Sequence, residues 1–390
     1  MKLGWLTIIF PISILYACRI LGLFLLIPVF TLFAPQLQDA NSFRIGLALG
    51  MYGLAQSLMQ IPFGLCSDYF GRKPLINFGL VLLLLGSIIG AYSTSIWGMI
   101  GARFLQGTGA IGSVLLALLS DLTPLQDRAK AMAVIGVSIG VSFSLAMMLA
   151  PVITLFFGLS AIFYFTACLA ILGLIINYSI IPNSKLKPTR KNISFRPFLQ
   201  CIKNKSLLNL NIGILFQHAC LTSLFFVLPL KLKVFISLGI ISASWQAYLP
   251  IIGGSFLVMA IIIFIAEKNR KLILVLKGSI LTIAVAQLLL GYCENSYNGL
   301  ITNTFIYFIA FNLLEAILPS QVSKSVDPAI RGTAMGIYST FQFIGIFLGA
   351  TMAGLIYSYK NASLVFYFNA LLALLWFIIN ASLAQKEVVD

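Results

Sequence analysis

The chain has 390 residues, of which 60% are apolar and only 9% charged, and its mean hydropathy is +1.03. A soluble domain is about half apolar and about a quarter charged, so the apolar excess here has to face lipid; collagen, coiled coil, disordered tail and secreted disulfide scaffold are excluded with it. The net charge of +15 would suggest nucleic acid in a soluble protein, and in this chain its placement has to be read first.

A spanning helix needs about 20 residues, and with short loops this length allows roughly a dozen. The opening run after Lys2 has no small-residue cleavage site and carries Arg19 in its middle, so it reads as a first span, not a removable signal peptide. Apolar runs between charged or Pro/Gly/Asn punctuation predict spans near 11–34, 44–67, 74–92, 96–119, 129–157 and 159–181, then near 207–230, 243–266, 271–292, 298–322, 332–358 and 362–383. The polar gap between the two sets carries Lys185, Lys187, Arg190, Lys191, Arg196, Lys203 and Lys205. It predicts an N-terminal six-helix bundle over 1–181, a basic linker over 182–206, and a C-terminal bundle with a short tail over 207–390.

An even number of spans puts both termini on one side. That side also receives the linker, Arg72, Lys73, Arg128, Lys130, Lys268, Arg270, Lys271, Lys324 and Arg331, while the other side receives only Arg44, Lys231, Lys233 and Lys360. By the positive-inside rule both termini are cytoplasmic. The basic residues then face anionic lipid, and no nucleic-acid partner is expected. The six cysteines, Cys18, Cys66, Cys168, Cys201, Cys220 and Cys293, have no C-x-x-C spacing, so neither a disulfide framework nor a metal site is expected.

Six spans plus six invite a search for an internal repeat. A slide of about 200 positions places Ser120, Arg128 and Ala131-Met132 on Ser323, Arg331 and Ala334-Met335. A second echo pairs Asp68, Arg72, Lys73 with Glu267, Arg270, Lys271. Duplicated halves are the architecture of secondary transporters.

Between spans 2 and 3 stands Gly64-Leu-Cys-Ser-Asp68-Tyr-Phe-Gly71-Arg72-Lys73-Pro74. In so short a turn Gly71 is expected to supply a backbone geometry other residues resist, and Pro74 fits the first turn of the next helix. A solvated basic loop explains Arg72 and Lys73 but not Asp68 or the glycines. The G-x-x-x-D-x-x-G-R-K string resembles the signature loop of the major facilitator superfamily.

Further strings resemble bacterial inner-membrane members of that family: Arg19 in CRILGLFLLIPV, the stretch from Ser95 to Pro124, Ala131 to Phe143, Phe311 to Ser320, and Arg331 to Gly345. Such members commonly carry a soluble C-terminal domain that this sequence lacks, and no role of that domain is carried over. The resemblance implies an all-α polytopic membrane protein with the major facilitator fold, twelve transmembrane helices in two pseudo-symmetric six-helix bundles, in the bacterial inner membrane. It also implies a cytoplasmic gate. Asp68 would interact with the N-terminal end of span 11 near Gly332, and Arg72 would pair with Asp121 at the end of span 4. The alternative is that Asp68 only stabilises the fold.

Ionisable groups within hydrocarbon cost about 2.5 to 3.5 kcal/mol or more on insertion scales, so each needs a reason. Arg103 heads Arg103-Phe-Leu-Gln106-Gly-Thr-Gly-Ala, which resembles the family's R-x-x-Q-G-x-G-A string linked to proton-coupled movement; the alternative is an arginine bonding backbone carbonyls. Arg19 is a cavity candidate or an interhelical hydrogen-bond donor. Glu315 is the one carboxylate inside a span away from its ends, hence a proton-carrier candidate, unless it anchors a helix end. His218 is a candidate shuttle with no partner legible in the sequence, and a satisfied neutral histidine explains it as well. Tyr52, Gln56 and Gln60 share one helix face, as do Tyr338 and Gln342, and with Gln106 these are cavity candidates; interhelical hydrogen bonding is the alternative.

Gly136 and Gly140 with Ala150-Pro151 partly match the family's antiporter motif but lack its Gly-Gly pair, and close helix packing explains them equally. No G-x-x-x-x-G-K-[ST] phosphate loop is present. The reading is a proton-coupled exporter of small organic molecules, without cofactor, metal or catalytic residues, acting as a monomer. Its rivals are proton-coupled uptake of a metabolite and a non-transporting membrane scaffold. A membrane enzyme would need a clustered catalytic set that a single histidine and scattered cysteines do not supply.

Overall fold

A computed structural model describes residues 8–124, 127–182, 196–327 and 330–386. Lys2 and most of the basic linker lie outside the described residues. The ordered elements are helices: α1 Phe10–Phe24, α2 Ser42–Phe70, α3 Arg72–Tyr92, α4 Ile96–Thr108, α5 Gly112–Leu122, α6 Arg128–Ser179, α7 Arg196–Lys203, α8 Lys205–Ser237, α9 Trp245–Lys268, α10 Leu272–Cys293, α11 Tyr297–Lys324, α12 Arg331–Tyr357 and α13 Ala362–Lys386. Among the described residues the β pairing is confined to one bridge, Gln38 with Ser95.

Nine helical stretches among the described residues are long and apolar enough to cross a membrane. One of them, Lys130–Ser179, is fifty residues long and is interrupted at Gly158, whose φ of 73° no helix accommodates. That break falls between the predicted spans 5 and 6.

Elsewhere the helices depart from the apolar runs for identifiable reasons. The predicted span 11–34 stops being helical after Phe24, ahead of Pro28, and resumes only as the short turn Phe30–Phe33. Predicted span 4 divides into α4 and α5 at Gly109-Ala110-Ile111. Conversely α8 runs to Ser237, past the predicted end at 230, because Lys231 ends the apolar run without ending the helix: its Nζ reaches Glu294 at 3.0 Å.

The chain forms two compact units, one of residues 1–40 and 51–193, the other of 41–50 and 194–390. In the first, α1 and α3 pack on α6; in the second, α8 packs on α12 and α10 packs on α11 and α13. Each unit turns an apolar helix face outward at i, i+4, i+7, i+8: Val81, Leu85, Ile88 and Ile89 on α3, and Leu257, Ile261, Phe264 and Ile265 on α9. Apolar stripes of this kind on the outside of a bundle are the surface a bilayer wets.

The two units repeat one another in detail. Ser95 caps α4 by accepting from the Gly98 amide at 3.1 Å, and Ser296 caps α11 by accepting from the Gly299 amide at 3.3 Å. Gly90 leaves room for the Phe163 ring, and Gly291 for that of Tyr367. Arg128 Nε donates to the Thr123 carbonyl at 3.2 Å, and Arg331 Nε to the Ser323 carbonyl at 3.1 Å, each closing the end of the preceding helix. The turn that enters α3 holds Gly71 at φ 95°, and the turn that enters α10 holds Arg270 at φ 56°.

Inside the second unit α8 and α12 approach through glycines. A Cβ at Gly349 would stand 2.6 Å from Ala219 Cα and 2.5 Å from Thr222 Oγ1. Gly349→Ala is therefore expected to lower stability by about 1 to 3 kcal/mol through overpacking. Gly336→Ala, where a Cβ meets nothing within 4 Å, should be neutral or slightly stabilising. Thermal unfolding of the two variants in detergent compares them directly; equal effects would mean the close approach at Gly349 is not limiting.

Candidate functional site

The turn between α2 and α3 is built around Gly71, whose positive φ suits glycine. Gly64 has a different status: a Cβ there meets nothing within 4 Å, as at Gly332, so packing does not require either glycine. Arg72 organises the turn. Its Nε donates to Asp121 Oδ2 at 3.1 Å, tying α3 to the end of α5, and its Nη1 meets both Asp68 Oδ1 and Ser67 Oγ. Asp68 itself is more than half exposed. Lys73 Nζ donates to the Ile181 carbonyl at 2.7 Å, placing a cation at the end of α6 where the helix dipole favours it. Asn177 donates to the Lys73 carbonyl and to Asn77 Oδ1, closing the joint.

In the first unit, Arg103 on α4 is buried. Its Nη1 donates to Gln106 Oε1 at 2.7 Å, its guanidinium carbon sits 4.8 Å from the centroid of the Tyr52 ring, and Gln106 Nε2 donates to Ser87 Oγ at 2.8 Å. The partners of Arg103 among the described residues are thus side chains of α2 and α4, with Ser87 of α3 behind Gln106, and not the backbone carbonyls of α1. Gln56 and Gln60 are buried as well and bond to each other, Gln56 Nε2 donating at 3.0 Å. They are one i, i+4 pair along α2, and among the described residues no hydrogen bond joins them to the arginine set. Arg19 on α1 is 3% exposed, with Tyr16 beside it and the start of α5 against its Nη1. The close-packing explanation of Gly136 is corrected, since a Cβ there meets nothing within 4 Å.

The second unit assembles a polar cluster from α8, α11 and α12. Gln217 Nε2 donates to Glu315 Oε2 at 3.0 Å and to the Phe311 carbonyl at 3.2 Å. The Gln342 amide lies 2.8 Å from His218 Nε2. An amide nitrogen can only donate, so with the Gln342 amide in this orientation Nε2 accepts. His218 Nε2 also lies 4.0 Å from Glu315 Oε2, an ion pair only when the ring is protonated. The hydroxyls of Tyr307 and Tyr338, Gln217 Oε1 and His218 Nδ1 are all buried without a hydrogen-bond partner among the described residues. Glu315 keeps 37% of its side chain exposed, so the cluster has one accessible acid backed by unsatisfied donors and acceptors. Such a set can take up a proton or a polar ligand.

His218 has partners that the sequence did not disclose, and Gln217 and Tyr307 were missed altogether. A signal for Tyr307 existed: Tyr307, Phe311 and Glu315 follow at i, i+4, i+8 on α11, one face of one helix. Gln217 had none, because its role follows from the crossing of α8 and α11. No group of three His, Cys, Asp or Glu side chains able to hold a metal occurs among the described residues.

Comparison with known proteins agrees with this architecture. The family model described as Major Facilitator Superfamily matches residues 12–350 and 269–388. The chain is 40% identical over 378 residues to the inner membrane transport protein YajR of Escherichia coli (strain K12), covering 96% of this chain and 83% of that protein. It is 25% identical over 352 residues to the quinolone resistance protein NorA of Staphylococcus aureus (strain MSSA476), 86% of each chain. Among solved structures, the nucleoside transporter NupG superposes with a TM-score of 0.74 at 15% identity, covering 96% of this chain and 99% of that one.

Proposed function

The chain belongs to the major facilitator superfamily and is a transporter, not an enzyme; from that premise we propose that it is a proton-coupled exporter of small organic molecules working by alternating access. In this reading there are twelve spans in two bundles, 1–181 and 207–390, with both termini cytoplasmic by the positive-inside rule, the basic linker on anionic lipid of a bacterial inner membrane and the monomer as the working form. The observation that carries the coupling is Glu315. Among the described residues it is the one carboxylate in the middle of a helix, held by Gln217 and 4.0 Å from His218, which Gln342 contacts in turn, and intramembrane acids of this kind serve as proton relays. Export is favoured over uptake by the likeness to a protein named for quinolone resistance.

The turn at Gly64–Pro74 is the access gate, with Arg72 and Asp121 setting its shape. Asp68→Asn is expected to reduce reagent labelling of cysteines introduced toward the outward opening, and unchanged labelling would remove Asp68 from the gate. The overall proposal is tested in proteoliposomes holding an entrapped pH dye under an imposed proton gradient, with drugs and metabolites added in turn. Proton movement evoked by a compound supports it. Accumulation instead of depletion of that compound in intact cells would reverse the direction, and silence with a folded protein that still binds solutes would favour a non-transporting role.

A further inference from the structure

Arg19 is the least satisfied charged group among the described residues. It lies in the middle of α1, 3% exposed, and its Nε and Nη2 are buried with no hydrogen-bond partner. Among the described residues Arg72 pairs with Asp68 and Asp121, Lys231 with Glu294 and, were its ring protonated, His218 with Glu315, and no such pair includes Arg19. The other acids described in its unit, Asp39 and Asp127, stand outside the helices. A buried unpaired cation is unstable by several kcal/mol, so a counter-charge is missing.

The surroundings make the deficit larger. Predicted span 4 unwinds in its middle: α4 ends at Thr108, Ala110 N bonds to the Thr108 carbonyl and Ile111 N to the Gly109 carbonyl, both at 2.8 Å, and α5 restarts at Gly112. Ala110, Ile111 and Gly112 are buried, and α5 begins without a side-chain cap. Arg19 Nη1 lies against this helix start, where a Cβ on Gly112 would stand 2.9 Å away. The first amides of a helix carry about half a positive charge, so a guanidinium is the wrong ion to face them unless a third, negative group lies between. Unwound backbone at this depth is tolerated only inside protein or beside a cavity, and the N-termini of half-helices are sites for anionic substrate groups in membrane carriers.

We propose that Arg19 and the N-terminus of α5 form an anion site, and that the transported molecule presents a carboxylate, sulfonate or similar monoanionic head to it. The proposal rests on the reading of the chain as a transporter of small organic molecules, and names the charge of the substrate. Glu315, in the other unit, then handles the proton and does not bind a cationic substrate. A free inorganic anion offers the same chemistry, so the test includes it.

Purified full-length protein at low chloride is titrated by calorimetry with sodium benzoate and sodium benzenesulfonate, with benzamide and benzylammonium as neutral and cationic counterparts, and with sodium chloride. The two organic anions are expected to bind and their counterparts not. Arg19→Gln should weaken anion binding by about tenfold or more, the loss of hydrogen bonds to a charged group, while Arg19→Lys retains part of it. If Arg19→Gln fails to fold, Gly112→Ala, which crowds Nη1, serves in its place and should weaken the same ligands. No anion binding by the wild-type protein up to about 10 mM, or equal binding by Arg19→Gln, overturns the site. Binding of chloride but of neither organic anion overturns the substrate assignment. Arg19-dependent anion binding without proton movement in proteoliposomes would leave the site standing and remove the exporter reading; proton movement evoked only by neutral or cationic compounds would do the reverse.

Discussion

Glu315→Gln is expected to bring substrate-evoked proton movement in proteoliposomes down to the level of empty liposomes, while the protein remains folded and still binds its substrate. The amide has the size of the carboxyl and can keep an oxygen toward Gln217 Nε2, which donates to Oε2 at 3.0 Å in the parent, so the crossing of α8 and α11 is preserved. What the amide cannot do is ionise, and so it cannot load and release a proton as a carboxyl does. The side chain is 37% exposed, and its nearest titratable neighbour, His218, is buried with Nε2 engaged by Gln342. His218→Gln should have a smaller effect, slowing coupling without abolishing it. Full coupling in Glu315→Gln would move the proton to another group, and loss of substrate binding in the same variant would make Glu315 a ligand to the substrate.

Much of this arrangement was written in residue order and some of it was not. The outward stripes at Val81, Leu85, Ile88, Ile89 and at Leu257, Ile261, Phe264, Ile265 follow from composition and periodicity, because lipid selects only for apolarity. The break at Gly158 was legible between predicted spans, whereas the breaks at Pro28 and at Gly109 were hidden inside continuous apolar runs. Hydropathy has no response to backbone geometry when the residues on either side stay apolar. The two halves could be aligned from Arg128 and Arg331, yet the caps at Ser95 and Ser296 are common residues in variable loops and stand out only once both are seen to hold an amide.

Polar residues show the same division. Glu315, Arg103 and Arg19 announced themselves by their cost in hydrocarbon. The groups behind them did not, since Gln217, which holds Glu315, and Ser87, which holds Gln106, come from other helices and a lone Gln or Ser in a span carries no pattern. His218 was the opposite case: its natural role is conspicuous, and the Gln342 contact that engages its Nε2 depends on α8 and α12 approaching at Gly345 and Gly349. Three-dimensional crossing decides which polar groups meet, and periodicity along one helix is blind to it.

Arg103 separates structural from functional charge. Arg103→Met, which keeps the length and removes the guanidinium, is expected to abolish coupled transport while changing stability by no more than about 2 kcal/mol, because two opposing terms nearly cancel. The loss of the Nη1 bond leaves Gln106 Oε1 buried without its donor at 2.7 Å, and forfeits the stacking over Tyr52 at 4.8 Å; each is worth on the order of 1 kcal/mol. Against this, a guanidinium with no carboxylate partner leaves the interior, and Nε, which has no hydrogen-bond partner, goes with it. Arg103→Ala is the contrasting variant: it adds a cavity beside Tyr52 and Gln106, and should cost about 2 to 5 kcal/mol, as large-to-small core substitutions do. Thermal unfolding in detergent and proton movement in proteoliposomes are measured for both. A stable, silent Arg103→Met assigns the charge to transport, whereas transport that survives in Arg103→Met and fails only in step with unfolding in Arg103→Ala makes Arg103 a packing element of the α2, α3 and α4 contact.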